Sequence, residues 1–137
     1  MAAILVVDDD AFSRVFLNTV LGIQLRHTVE FAPDGVVGIW SYERTRPDLV
    51  ITDVTLPYLD GVPMIEHLTA VHPDSKIIAA SAKAWDTLSE AEGAGALASL
   101  KKPFRRDELV AAVDWALSVA EPWLDWEERA SPYALVG

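Results

Sequence analysis

The chain has 137 residues, no cysteine and a formal net charge of −10, and 51% of its residues are hydrophobic. This composition excludes a disordered chain and cysteine chemistry, and the negative charge argues against nucleic-acid binding. No apolar run reaches the roughly 20 residues that span a bilayer, and the first residues lack the basic start of a signal peptide. We therefore expect a globular cytoplasmic protein that binds neither membrane nor nucleic acid.

Apolar runs alternate with helical patterns five times along the chain. The first and third runs are almost continuously apolar, as in strands that helices cover on both faces. The second run alternates polar with apolar residues, which is typical of a half-exposed edge strand. The predicted strands cover residues 3–7, 27–31, 49–51, 76–80 and 97–100. The predicted helices cover residues 11–25, 36–43, 62–71, 84–92 and 105–120.

This element order predicts an α/β fold, a doubly wound (βα)5 parallel sheet of five strands with the flavodoxin-like strand order 2-1-3-4-5. Residues 1–121 form the predicted domain, and residues 122–137 form a short tail without an output domain. Ligands of such sheets bind outside the carboxyl ends of the strands, at the switch point between strands 1 and 3. Those two strands end in Asp8-Asp9 and in Asp53.

Several apolar side chains on the helices are assigned by their spacing. Phe12, Val15 and Ile23 contribute to the apolar pattern of the first helix, and Trp40 is expected in the core beneath the second. The last helix carries more apolar surface than one core stripe requires. Its second stripe comprises Ala112, Trp115 and Val119, and we expect the Trp-rich tail or a partner to cover it.

Three carboxylates that meet at one edge of a sheet repel one another, so a positive group must compensate them. Mg2+ suits the site, because it prefers oxygen ligands and is commonly held by one or two carboxylates. We expect Asp9 and Asp53 to bind it directly, the backbone carbonyl of Thr55 to add a ligand, and Asp8 to act through water. Mn2+ is an acceptable substitute.

Phosphoryl chemistry is the function that this arrangement favours. One oxygen of Asp53 remains available to attack phosphorus, since aspartate forms aspartyl-phosphates in proteins. Lys102 follows the fifth strand and can supply positive charge to phosphoryl oxygens. Ser81 follows the fourth strand and can donate a hydrogen bond to the same oxygens.

These segments resemble the receiver domain of two-component response regulators, over about residues 3–120. The matching segments are residues 4–10, 47–53, 56–57 with 60–61, 80–82 and 102–104. The resemblance implies that Asp53 receives a phosphoryl group from a partner histidine kinase or histidine phosphotransfer protein. It further implies that Asp8 and Asp9 hold Mg2+ together with Asp53, and that Ser81 and Lys102 contact the acyl phosphate.

The resemblance also implies a cis Lys102–Pro103 bond and a signalling switch that couples Ser81 to an aromatic residue on strand 5. This sequence has Ser99 at the aromatic position, so the usual switch cannot be transferred unchanged. Thr55 and Lys83 occupy the positions that modulate phosphate lifetime in the family. The surface from helix 4 through strand 5 to helix 5 is the implied face for a downstream protein partner.

The sequence therefore predicts a stand-alone, chemotaxis-regulator-like response regulator, a monomer or weak dimer that is not a conventional enzyme and catalyses only its own phosphorylation and dephosphorylation. One alternative is a receiver fragment of a larger hybrid kinase or regulator. A second is a Mg2+-dependent phosphatase with an aspartate nucleophile, although Thr55 stands where such enzymes place a second acid. A flavin-nucleotide binder is disfavoured, because Asp8 and Asp9 would repel the phosphate.

Overall fold

The computed structural model describes residues 1–82 and 85–122. Its sheet is parallel and has the order β2-β1-β3-β4-β5, which confirms the predicted fold class and strand order. The strands are β1 Ala3–Val7, β2 Thr28–Ala32, β3 Leu49–Asp53, β4 Ile77–Ser81 and β5 Ala98–Lys101. The helices are α1 Ala11–Leu17, continued by a π-helical segment Asn18–Gln24, then α2 Gly35–Thr45, α3 Gly61–Val71, α4 Trp85–Ala94 and α5 Arg106–Ser118. None of the described helices is long and apolar enough to cross a membrane.

The two faces of the sheet carry separate apolar cores. In β1, Ile4 and Val6 belong to the core beneath α1 and α5, whereas Leu5 and Val7 belong to the core beneath α2 and α3. This division follows from the two-residue alternation of side chains along a strand. All four side chains are almost fully buried, which explains the unbroken apolar run in the sequence. The carboxyl ends of the strands are thereby held in fixed register at one edge.

The apolar pattern of the first helix is only partly used by the core. Leu17 and Leu21 are buried against the sheet, but Phe12, Val15 and Ile23 are 86%, 66% and 66% exposed. The exposed residues lie on the opposite side of the helix, so the helix has two apolar sides. The π-helical turn from Asn18 is a further departure, since the sequence period predicts a continuous α-helix over residues 11–25.

The prediction that Trp40 lies in the core is wrong, because its side chain is 74% exposed. The core side of α2 is occupied instead by Gly38 and Tyr42. A Cβ atom on Gly38 would lie 3.0 Å from a methyl group of Val7 and 2.9 Å from the sulfur of Met64, so the helix packs closely there. This close approach directs Trp40 towards solvent.

A buried histidine joins the ends of α2 and α3, and no sequence pattern singled it out. His72 stacks against Tyr42 with a centroid distance of 5.0 Å, and its Nδ1 lies 2.8 Å from Nη1 of Arg46. A guanidinium group only donates, so this Nδ1 accepts and the ring proton resides on Nε2. Nε2 therefore donates to Oε1 of Glu43 at 2.7 Å, and this bond lowers the pKa of Glu43.

The surplus apolar stripe predicted on the last helix is smaller in the structure. Ala112 is fully buried in the core, so it needs no further cover. Trp115 and Val119 are partly buried and pack against the same core. The tail from residue 123 onwards lies outside the described residues, so the predicted cover stays a prediction.

Candidate functional site

The acidic residues predicted to meet at the sheet edge do meet. The register pairs Val7 of β1 with Thr52 of β3, which places the next residues, Asp8 and Asp53, at adjacent strand ends. One carboxylate oxygen each from Asp8, Asp9 and Asp53 lies within 4.8 Å of the other two. Asp8 is buried, Asp53 is half-buried and Asp9 is exposed. This gradient of burial leaves the cluster open to solvent on one side.

Lys102 compensates part of this negative charge. Its Nζ donates to Oδ2 of Asp8 at 2.8 Å and to Oδ2 of Asp53 at 3.0 Å. Burial lowers the pKa of Lys102, but the hydrogen bonds to the two carboxylates outweigh that effect, so its pKa lies above the ordinary value. The ammonium group therefore remains charged at neutral pH and bridges the two strand ends.

The two oxygens of Asp53 have different partners. Oδ2 faces the ammonium group of Lys102, whereas Oδ1 accepts a hydrogen bond from the backbone N–H of Thr55 at 3.1 Å. Gly61 begins α3 directly beside this loop, and a Cβ atom there would collide with the carbonyl oxygen of Asp53. Glycine is therefore required for the loop to close tightly behind the carboxylate.

The strand register places Ser81 near the same edge. Asp53 pairs with Ala80, so Ser81 is the next residue at the neighbouring strand end, and its side chain is buried. The carbonyl oxygen of Ser81 accepts from the backbone N–H of Lys102 at 2.8 Å. The Lys102–Pro103 bond is cis, which confirms the expectation from the resemblance.

One further predicted residue, Ser99, has its contact away from this cluster. Ser99 is on β5, where its hydroxyl donates to Oε1 of Glu92 on α4 at 3.3 Å. The switch position is thus occupied by a polar contact between a strand and a helix. Lys83 lies outside the described residues.

Ser13 and Arg14, on the first turn of α1, also contact the site and were not predicted from the sequence. Ser13 Oγ accepts a hydrogen bond from Lys102 Nζ at 3.1 Å and donates to Oδ2 of Asp10 at 2.9 Å. Nε of Arg14 donates to the backbone oxygen of Asp8 at 2.8 Å. Asp10 is the N-cap of α1, because its side chain accepts a hydrogen bond from the backbone N–H of Ser13. The position of Ser13 could have been predicted from this cap, since the third residue after an N-cap residue lies close to the capping side chain.

The donor set of this cluster fits a hard divalent cation. It offers three carboxylates, one of them exposed, while one ammonium group balances only part of their charge. Asp8, Asp9 and Asp53 are the residues that would hold Mg2+, which prefers oxygen ligands and retains water. Such an ion would supply positive charge where the three acids repel one another.

The comparisons with known proteins agree with this geometry. A family model described as the response regulator receiver domain matches residues 4–114. The chain belongs to this family. As a receiver domain, it is 31% identical to the chemotaxis protein CheY of Bacillus subtilis over 116 residues, which are 84% of this chain and 97% of that protein. It is 35% identical to the response regulator MprA of Mycobacterium avium over 134 residues, which are 96% of this chain and 58% of that protein.

Solved receiver structures have the same fold. The Francisella response regulator 1452 receiver domain matches with a TM-score of 0.78 at 26% identity, covering 85% of this chain and 97% of that one. The receiver domain described here is therefore part of two-component signalling. Its acidic cluster lies at the switch point between β1 and β3 that the sequence predicted as the ligand crevice.

Proposed function

We propose that this chain is a response-regulator receiver that accepts a phosphoryl group on Asp53. The donor is a phosphohistidine of a histidine kinase or a histidine phosphotransfer protein. The observation that carries the proposal is the environment of Asp53, which combines neighbouring acids for a cation with a charged Lys102 at 3.0 Å. A structural turn cap requires neither feature.

In the proposed transfer, an oxygen of Asp53 forms a bond to phosphorus while the phosphorus–nitrogen bond of the phosphohistidine breaks. The bonding electron pair leaves with the imidazole nitrogen, and the product is an acyl phosphate on Asp53. Asp8, Asp9 and Asp53 are the residues that would hold Mg2+, and the ion would supply positive charge that reduces the repulsion between the carboxylate and the incoming phosphoryl group. Later attack of water on phosphorus restores the carboxylate and releases inorganic phosphate.

Residues around the cluster have distinct roles in this proposal. Lys102 directs its ammonium protons to the phosphoryl oxygens, as a point charge suited to phosphate. The Ser81 hydroxyl donates a further hydrogen bond to those oxygens, and the Thr55 carbonyl adds a ligand to the cation. The side chains of Thr55 and Lys83 modulate access of water to phosphorus. These assignments rest on the family resemblance and on the strand-end positions.

A protein partner binds the phosphorylated form on the face formed by α4, β5 and α5. Support comes from the polar contact between Ser99 and Glu92, which connects β5 to α4 where relatives of this fold are expected to carry an aromatic residue. A switch built on this contact differs from inward rotation of an aromatic ring. We propose that phosphorylation alters the position of α4 through the segment that follows Ser81.

The proposal is tested by intact-mass measurement after incubation with Mg2+ and acetyl phosphate. The wild type should gain one phosphoryl group, whereas Asp53→Asn should gain none. Asp48→Asn is the matched control, because Asp48 lies at the opposite end of the same strand, where it accepts a hydrogen bond from the N–H of Ala3 at 2.8 Å. Repeated turnover of diverse organic phosphates by the wild type would support a phosphatase instead and would overturn the proposal.

The cation has its own test. Because Mg2+ binds the folded cluster and not the unfolded chain, it should raise the melting temperature, and Mn2+ should act in the same way. Asp9→Ala should abolish this rise. Asp74→Ala is the control, because Asp74 is an exposed acid outside the cluster. An undiminished rise in Asp9→Ala would remove Asp9 from the site.

A further inference from the structure

Lys102 has a third hydrogen-bond partner whose chemistry differs from the other two. Its ammonium group has three protons, and the acceptors within reach are Oδ2 of Asp8, Oδ2 of Asp53 and Oγ of Ser13, at 2.8, 3.0 and 3.1 Å. Two acceptors are carboxylates of the acidic cluster, whereas Ser13 is neutral and belongs to α1. Ser13 is therefore the only one of these three partners that neither binds a cation nor receives phosphate.

We propose that Ser13 is a positioning residue that holds the ammonium group of Lys102 over the phosphorylation site while its other two partners change. The inference rests on the proposed phosphoryl transfer to Asp53. A divalent cation competes with Lys102 for the oxygen lone pairs of Asp8 and Asp53. The hydroxyl of Ser13 is a weak ligand for such a cation and keeps its bond to Lys102.

The hydroxyl of Ser13 is oriented for this role by its own donor bond. Its proton points to Oδ2 of Asp10, at 2.9 Å, so its lone pairs are directed towards the ammonium group of Lys102. The backbone N–H of Ser13 donates to the same carboxylate oxygen at 3.1 Å.

Positioning is needed because a lysine side chain is flexible. Its charge lies at the end of four methylene groups, and its rotamers cost entropy to fix. The side chain of Lys102 is 16% exposed, so water remains available as an alternative partner. A neutral anchor on α1 restricts the ammonium group to the space between Asp8 and Asp53, where the phosphoryl oxygens arrive.

The first test measures the rate of phosphorylation by acetyl phosphate at saturating Mg2+. Ser13→Ala should lower the rate about fivefold, the factor expected for losing one hydrogen bond. Ser13→Thr retains the hydroxyl and should restore the rate to within about twofold of wild type. Thr19→Ala is the matched control, because it deletes a hydroxyl that bonds to Val15 in the same helix at 2.8 Å. It should leave the rate unchanged.

A second test separates a role through Lys102 from a local role in capping α1. In a Lys102→Met background, Ser13→Ala should cause no further loss of rate, since coupled residues are not additive. The same four proteins are unfolded with urea without Mg2+, where no phosphorylation is involved. Ser13→Ala should lower the urea midpoint by less than half as much in the Lys102→Met background as in the wild type.

The outcomes distinguish the inference from the proposed function. Equal rates for the wild type and Ser13→Ala would overturn the positioning role while leaving Asp53 as the acceptor. Additive effects of Ser13 and Lys102 in both measurements would show that Ser13 only caps the helix. A wild type that gains no phosphoryl group would overturn the proposed function and the positioning role together. The urea experiment would then still report whether Ser13 and Lys102 interact.

Discussion

The ion pair between Lys102 and Asp53 can be broken by replacing either residue, and the two substitutions should change the free energy of unfolding by very different amounts. Asp53→Asn removes one charge from a cluster of three acids, whereas Lys102→Met removes the cation that compensates them. The side chains of Lys102 and Asp53 are 16% and 15% exposed, so solvent screens their interaction only partly. The comparison therefore tests whether repulsion among the acids is as large as the geometry implies.

The distances between the charged atoms determine how large the electrostatic energies are. At an effective dielectric constant near 20, the attraction across 3.0 Å corresponds to about 6 kcal/mol. Asp8 and Asp9 each have an oxygen within 4.8 Å of Asp53, which corresponds to a repulsion of about 3 kcal/mol per neighbour, less for Asp9 because it is exposed. The terms nearly cancel for Asp53, so Asp53→Asn should change the free energy of unfolding by less than about 1 kcal/mol.

No such cancellation applies to Lys102. Lys102→Met loses the contacts to Asp8 and Asp53 and leaves three uncompensated acids, so it should destabilise the fold by about 3 kcal/mol. Urea denaturation followed by far-UV circular dichroism measures both values at neutral pH, low ionic strength and without divalent cations. Adding millimolar Mg2+ should recover part of the loss in Lys102→Met, because the ion replaces the missing positive charge.

Equal losses of unfolding free energy in Asp53→Asn and Lys102→Met would refute this reasoning. That result would mean that attraction to Lys102 dominates and that the acids barely repel one another. The inferred need for a cation would then lose its electrostatic basis. A Mg2+ response that is the same in both variants would contradict the placement of the ion beside Asp53.

Four other predictions concern residues elsewhere in the fold. Gly61→Ala should destabilise the fold by about 2 kcal/mol, since its Cβ would meet backbone at the end of β3. Gly93→Ala should stabilise the fold by about 0.5–1 kcal/mol, because among the described residues its Cβ would meet no atom within 4 Å beyond its chain neighbours and the backbone of its own helix. His72→Phe should lower the free energy of unfolding by about 2 kcal/mol in urea denaturation, because it removes two partly buried hydrogen bonds. The pKa of Glu43 is lowered in the folded protein, so its stabilising contribution is present above its ordinary pKa of 4.5 and is lost as pH falls through the lower folded value. A pH series of unfolding midpoints should show this loss of stability. In Glu43→Gln this pH dependence should be absent. Trp40→Ser should change stability by less than about 0.5 kcal/mol, because the side chain is 74% exposed.

For Gly61, Glu43 and Trp40, a specific outcome would contradict the prediction. A stable Gly61→Ala variant would show that the loop after β3 has room to move. A Glu43→Gln variant with the acid sensitivity of the wild type would assign that sensitivity to another carboxylate. A large loss in Trp40→Ser would mean that this side chain is covered in solution, by another part of the chain or by a second copy.

Much of the site was predictable because it lies at strand ends. An unbroken apolar run that ends in a carboxylate predicts both a buried strand and the side chain at its end. The alternating order of strands and helices then determines which ends are neighbours. Asp8, Asp9, Asp53 and Lys102 were placed together in this way, and the structure shows them in contact or within 4.8 Å.

Residues on helices were predicted less well, because periodicity identifies an apolar side but not which side faces the sheet. Phe12 and Trp40 fit an apolar pattern and are nevertheless exposed. Ser13 shows the opposite error, since a polar residue in a helix gave no sign of a contact with Lys102. That contact joins residues 89 positions apart in the chain.

The order of elements, the parallel sheet and the acids that end β1 and β3 follow from the sequence alone, because strand periodicity and strand ends are local properties. Three features are visible only in the folded chain: Lys102 has three hydrogen-bond partners, His72 joins two helices, and glycine at position 61 lets the loop close behind Asp53. These features depend on the distance between separate elements, which packing sets and local sequence does not encode.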